Sequence, residues 1–268
     1  MLASLAAFSL PILALAAPAP APAPSPFSGT HFAASGLSSP NVEALSSFGN
    51  ADASKWSAGA TIAYQAHGSC NASQKAWIGE GLDEALMLAG HARAHLRRYG
   101  NDTIFQDWFG NETNSNLLLG LYDRLVDGDK AGLSFRCDDP DNECDGKYGV
   151  IAGYFRADDH DETVMCPTYW LEKPRIEDMC AEGWNLAENG SELTQGAFFM
   201  HRLLHTPTAT GGGMSDVVDT AEEALELAKG VNHTQAAYSI HTIQYYALDV
   251  YATDILVPGV GCRGNVTA

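Results

Sequence analysis

Basic side chains are scarce in this 268-residue chain: 15 Lys and Arg stand against 33 Asp and Glu, a formal net charge of -18 at pH 7. A surface of that sign gains nothing from counterion release, which argues against nucleic acid and anionic membranes as partners. It suits solubility and sets up a field that attracts cations. No CxxC pair occurs, so a cysteine-based zinc knuckle is not expected. After residue 17 no stretch reaches the roughly 20 apolar residues that a membrane span takes, so no membrane insertion is expected of the mature chain. No internal repeat is present.

The first 17 residues lack a basic start, yet they form one apolar stretch that ends in small residues. That is the pattern of a secretory signal peptide cleaved near Ala16 or Ala17. The alternating proline of PAPAPAPSP follows, favouring extended polyproline II. Residues 18–55, rich in Pro, Ala and Ser, are expected to be a disordered leader, and residues 56–268 a single folded domain. Two features agree with export. Sequons start at Asn71, Asn101, Asn111, Asn189, Asn232 and Asn265, and they matter only in the secretory pathway. Cys70, Cys137, Cys144, Cys166, Cys180 and Cys262 make an even set, expected to form three bridges among fifteen possible pairings.

Apolar residues recur at helical spacing from Gln74 to Tyr99, with Gly100 closing the run. A second helix is expected over Asn114–Val126. Strand-like runs cover Gly132–Cys137, Gly149–Phe155 and Glu162–Cys166, separated by Asp-, Gly- and Asn-rich turns. Helices are then expected at Glu192–Thr206, Val217–Lys229 and Gln235–Leu256, with Pro258 stopping the last. Helices around a small sheet make the fold class α+β, mainly helical.

The segment with chemistry in it is His201-Arg-Leu-Leu-His205. On a helix, residues four apart share a face, and that spacing lets two imidazoles reach one metal ion. Leu193, Ala197 and Leu204 lie on the same face, so both rings should point into an apolar interior. Pro207 should end the helix just past His205, where its negative end favours a cation. A third ligand is needed. Asp216 stands eleven positions after His205, but it also directly precedes the expected helix at Val217 and fits equally as its cap. His241, on the stripe Tyr238, His241, Tyr245, Leu248, is the other candidate, though that placement also suits a core histidine. A second pair, His91 and His95, is expected on a solvated helix face crowded by arginines.

From Trp56 to Cys262 the chain resembles the fungal pH-regulated antigen and major-allergen family, the secreted zincophores, and through them the deuterolysin (aspzincin) zinc metalloproteases. The resemblance rests on SCNASQKAW, LDEALMLAGHARAHLRRYGN, GDKAGLSFRCDDPD, FMHRLLHTP and YYALDVYATDILVPGVGC. It implies a zincin-like domain that holds Zn2+ through His201, His205 and Asp216. Asp216 lies in GMSD, where the aspzincins have GTxD. It implies the pairings Cys70–Cys137, Cys144–Cys166 and Cys180–Cys262. It also implies a secreted or cell-wall-associated protein, with zinc and a host or cell-surface protein as its partners.

Two departures bear on function. The glutamate of HExxH, which moves protons in zinc peptidases, is Arg202 here, and a guanidinium has no lone pair to accept a proton. Family members also often carry a His- or Cys-rich tail; the residues after Cys262 contain none, so weaker zinc capture is expected. The first reading is therefore a non-catalytic zinc binder. An active metallopeptidase would need a replacement base such as Glu182, Glu188 or Tyr169. A metal-free adhesive or structural antigen would instead have Arg202 bridging a carboxylate such as Asp216.

Overall fold

The computed structural model describes residues 64–146, 151–171, 173–181 and 183–265. The expected signal peptide and leader lie outside these residues, as do Glu182 and the first two residues of the strand expected at Gly149.

Helix α1, Ala72–Tyr99, is the longest element. Asn71 and Gln74 form a reciprocal capping box at its start, and the Gly100 N–H closes its end on the Leu96 carbonyl. Two short helices follow, α2 at Thr103–Phe109 and α3 at Ser115–Asp127. Strands β1 (Gln65–Ala66), β2 (Ser134–Arg136), β3 (Gly153–Arg156) and β4 (Asp159–Met165) form one sheet in the order β1-β2-β4-β3. The first two pairings are parallel and β3–β4 is antiparallel, with an irregularity at Phe155/Arg156. Next come α4 (Leu186–Asn189), α5 (Gln195–His205), α6 (Pro207–Thr210), α7 (Ala221–Lys229) and α8 (Ile240–Tyr251). The class is α+β and mainly helical, as expected, within a single domain. Among the described residues no helix is long and apolar enough to cross a membrane.

Three expectations need correction. The helix expected at Val217 starts only at Ala221, because Thr220 and Glu223 form the capping box there. The long helix expected over Gln235–Leu256 is three pieces: a 3-10 turn at His233–Tyr238, then α8 capped by Ser239, then a π-turn at Ala252–Leu256. As expected, α5 ends at His205 just before Pro207, which then starts α6 from its first turn, where a missing N–H costs nothing. The pair His91 and His95 is not a solvated face. His95 is buried, with Nδ1 2.8 Å from Asp254 Oδ2 and Nε2 3.1 Å from Asp102 Oδ2, and His91 Nε2 is 3.0 Å from the same Asp254 oxygen. The arginines turn the other way: Arg93 and Arg97 pair with Asp123 of α3.

The core is aromatic. Trp108 stacks on Tyr245 with ring centres 5.4 Å apart, and Phe199 meets Phe135, Tyr169 and Phe198 edge-on. Helices α1 and α5 approach closely at two glycines. A Cβ on Gly81 would lie 2.3 Å from the Phe199 ring, and one on Gly196 would lie 2.7 Å from Glu84 Cγ. Glu84, buried between the helices, accepts hydrogen bonds from the backbone N–H groups of Ile176 and Gly196. Three disulfides join Cys70–Cys137, Cys144–Cys166 and Cys180–Cys262, the pairings implied by the resemblance. All six sequon asparagines are exposed.

Candidate metal centre

Helix α5 puts His201 and His205 on one face, and their Nε2 atoms meet 3.0 Å apart. The helix is capped by the Thr194 side chain, which bonds the Ala197 N–H. Its register is fixed by burial of Ala197, Phe198, Met200 and Leu204. His201 is 4% exposed and His205 23%, so the pair sits at a cleft rather than inside the core.

Asp216 arrives on a separate strap. Gly211, Gly212 and Gly213 all have φ between +84° and +87°, a left-handed run that only glycine adopts without strain. This run turns the chain out of α6 and back toward α5. The strap is then pinned to the start of α8: the Ser215 N–H donates to the Tyr238 carbonyl at 3.1 Å, and the Ile240 N–H donates to the Ser215 carbonyl at 3.0 Å. Because α7 is capped elsewhere, the Asp216 carboxylate is available to the histidines. It lies 3.1 Å from His205 Nε2, 3.9 Å from His201 Nε2 and 3.6 Å from His241 Nε2.

A tetrahedral zinc with bonds of 2.0–2.2 Å needs donor atoms about 3.3 Å apart. The Nε2 atoms of His201 and His205 are 3.0 Å apart, Asp216 Oδ2 is 3.1 Å from His205 and Oδ1 is 3.9 Å from His201; one donor atom from each residue lies within 4.8 Å of the others, so these residues could hold such an ion. The electrostatics agree. Burial pushes His201 down to about 3 against the pull of Glu192, so it is neutral at pH 7 with one lone pair to offer. Burial would raise Asp216, but the hydrogen bond from His205 and the surrounding histidines hold it at about 2, fully ionised.

Sequence reasoning missed the shell behind the histidines. Glu192 Oε1 is 3.2 Å from His201 Nδ1, and Gln244 Oε1 is 3.0 Å from the same nitrogen. Ser191 Oγ is 2.7 Å from His241 Nδ1. Glu192 lies before α5 with no periodic signal to mark it. Gln244 had one usable sign, a polar residue three positions after His241 on the buried stripe of α8. A cavity of about 380 Å³ opens beside this shell, lined by Lys173, Ser191, Glu192, Asp219 and His241.

Arg202 points away from the trio. Its guanidinium lies between the Phe155 and Phe198 rings, 5.1 and 5.0 Å from their centres, and Nη1 donates to the Gly153 carbonyl at 3.3 Å. Its carboxylate partner among the described residues is Glu192, at 3.6 Å, rather than Asp216. The alternative bases do not gather here. Glu188 is exposed on α4, and the buried Tyr169 packs on Phe198 and Phe199 with its hydroxyl unpaired.

The family model described as HRXXH, a putative peptidase family, matches residues 27–265. The chain belongs to that family. It is 39% identical over 213 residues to the major allergen Asp f 2 of Aspergillus fumigatus, spanning 78% of this chain and 67% of that protein. It is 36% identical over 215 residues to the pH-regulated antigen PRA1 of Candida albicans, spanning 80% and 71%. It is 37% identical over 201 residues to Antigen 1 of Emericella nidulans, spanning 74% and 71%. A solved zinc peptidase from Grifola frondosa aligns with 67% of this chain and 97% of its own at 15% identity, with a TM-score of 0.49.

Proposed function

We propose that this family member is a secreted zinc-binding protein without peptidase activity, which holds one Zn2+ through His201, His205 and Asp216. The observation that carries the reading is the convergence of two imidazole nitrogens and one carboxylate where the neighbouring position holds a partly buried arginine paired with Glu192. When bound, zinc would supply a Lewis-acid centre and an activated water. Turning that water into a peptidase needs a proton acceptor within hydrogen-bond reach, and a guanidinium cannot be one. His201, His205 and Asp216 then serve to bind, and Arg202 serves the scaffold. Export to the extracellular space or cell wall, with glycans on the exposed sequons, fits the disulfides and the fungal antigens and allergens among its relatives.

The test is metal analysis of the purified protein beside a casein or basic-peptide cleavage assay. The expected result is about one zinc per chain, lost in the double variant His201→Ala/His205→Ala, with no chelator-sensitive cleavage. A double variant that binds zinc as well as the parent defeats the site. Chelator-sensitive turnover by the zinc-loaded parent defeats the non-catalytic reading.

A further inference from the structure

We infer that Glu192 and Gln244 are positioning residues that hold His201 in its Nδ1–H form with Nε2 turned to the metal, and that Arg202 is the counter-ion of Glu192. The inference rests on the zinc reading above and deepens it. It gives Arg202, at the position a zinc peptidase uses for its base, a function of its own.

The argument begins at Gln244, which is fully buried. An amide side chain can face either way unless its neighbours decide. Here the Nε2 of Gln244 donates to the Ala197 carbonyl at 2.8 Å, with the Ser191 carbonyl at 3.5 Å. Reversing the amide would set its oxygen against carbonyl oxygens. Oε1 is therefore the atom that faces His201 Nδ1, and it can only accept. Glu192 Oε1 lies 3.2 Å from the same nitrogen, a carboxylate oxygen beside it rather than a second hydrogen-bond partner.

An acceptor oxygen hydrogen-bonded to a ring nitrogen, with a carboxylate oxygen close beside it, requires that nitrogen to carry the hydrogen. In a neutral imidazole the lone pair then lies on Nε2, and Nε2 faces His205 and Asp216. A histidine ligand held through its far nitrogen gains both orientation and basicity, and loss of such an outer contact typically lowers metal affinity about 10- to 100-fold.

The Glu192 side chain is partly buried, 30% exposed, and has cations beside it. Its Oε2 lies 3.6 Å from Arg202 Nη2, and the Lys173 ammonium donates to the Glu192 backbone carbonyl at 3.2 Å. The cation beside the metal site is thus spent on a carboxylate behind the ligand and does not face the bound ion.

The experiment has two arms. In the metal-free parent, long-range proton–nitrogen correlation of the imidazole rings reads which nitrogen of His201 is protonated, with a His201→Gln spectrum giving the assignment. Protonation at Nδ1 is expected, and protonation at Nε2 overturns the inference whatever the variants do. In the second arm, zinc dissociation constants of the parent, Glu192→Gln and Gln244→Met are measured by competition with a chromophoric chelator. Near-UV circular dichroism checks that each variant is folded. Each folded variant should still bind one zinc, with affinity lowered about 10- to 100-fold. Folded variants that bind zinc as tightly as the parent overturn the inference. A parent that binds no zinc defeats the proposed function instead, and the ring-nitrogen spectrum still judges the positioning claim.

Discussion

Arg202 shows what a single side chain can decide. Replacing it by glutamate restores the motif of a zinc peptidase on paper, but here it would set a second carboxylate beside Glu192 and strip that residue of its partner. The pair is partly buried, with Arg202 12% and Glu192 30% exposed, so breaking it costs about 1–3 kcal/mol. Arg202→Glu should therefore lower the urea-unfolding free energy of the metal-free protein by about that much and yield no chelator-sensitive cleavage; a variant as stable as the parent would show the pairing with Glu192 to be energetically idle. At this scale the sequence was partly legible. His201 and His205 declare themselves through spacing on one helical turn. Asp216 remained ambiguous between ligand and cap until α7 was seen to begin at Ala221 under Thr220. Glu192 was illegible because it stands before α5 with no periodic trace, while Gln244 left only a faint one, a polar residue on the buried stripe of α8.

Elements set the angles at which these side chains meet. The packing of α1 on α5 depends on Gly81 and Gly196, since neither has room for a Cβ. Gly196→Ala pushes against Glu84 and should destabilise the fold by about 1–3 kcal/mol. Because Gly196 begins the helix that carries both histidines, zinc affinity should fall as well, and calorimetry with a zinc titration checks both outcomes. Helix periodicity forecast α1 and α5 because each buries one broad face. It overran on α8, where the apolar stripe continues through three different helical geometries and only Ser239 marks the true start. The sheet carries a second testable feature. Arg136 pairs with Asp138 at 2.7 Å and Glu162 at 3.0 Å, and Arg156 pairs with Asp141 at 2.9 Å and Glu162 at 3.1 Å. Hydrogen bonds from the two arginines hold Asp138 and Asp141 below the usual carboxylate range, and for Glu162 they overcome a burial effect of the opposite sign. Carboxyls whose folded pKa is depressed stabilise the protein above their unfolded pKa, about 4, and that contribution is lost as pH falls through the folded value. Melting temperatures taken from pH 5 down to pH 3 should therefore drop more steeply for the parent than for Glu162→Gln; parallel curves would rule the network out as a source of acid sensitivity.

Over the whole molecule, three disulfides span 67, 22 and 82 residues of sequence and tie the sheet and the C-terminal segment to the helical body. Closing loops of that length restricts the unfolded chain by an amount that grows slowly with loop size. The pairings were not derivable from spacing, and only family resemblance chose among the fifteen possibilities. The strap that carries Asp216 leaves α6 through three glycines and is latched to α8 at Ser215, the residue just before Asp216. With a swivel and a latch on the same side of the acid, a metal ion would act as the clasp that holds the latch shut. Amide hydrogens of Ser215 and Ile240 should accordingly exchange with deuterium faster after zinc is stripped than before, while those in the middle of α1 keep their rates. Equal exchange at the latch with and without zinc would mean that the strap stays shut unaided, and that entry to the site is governed from another direction.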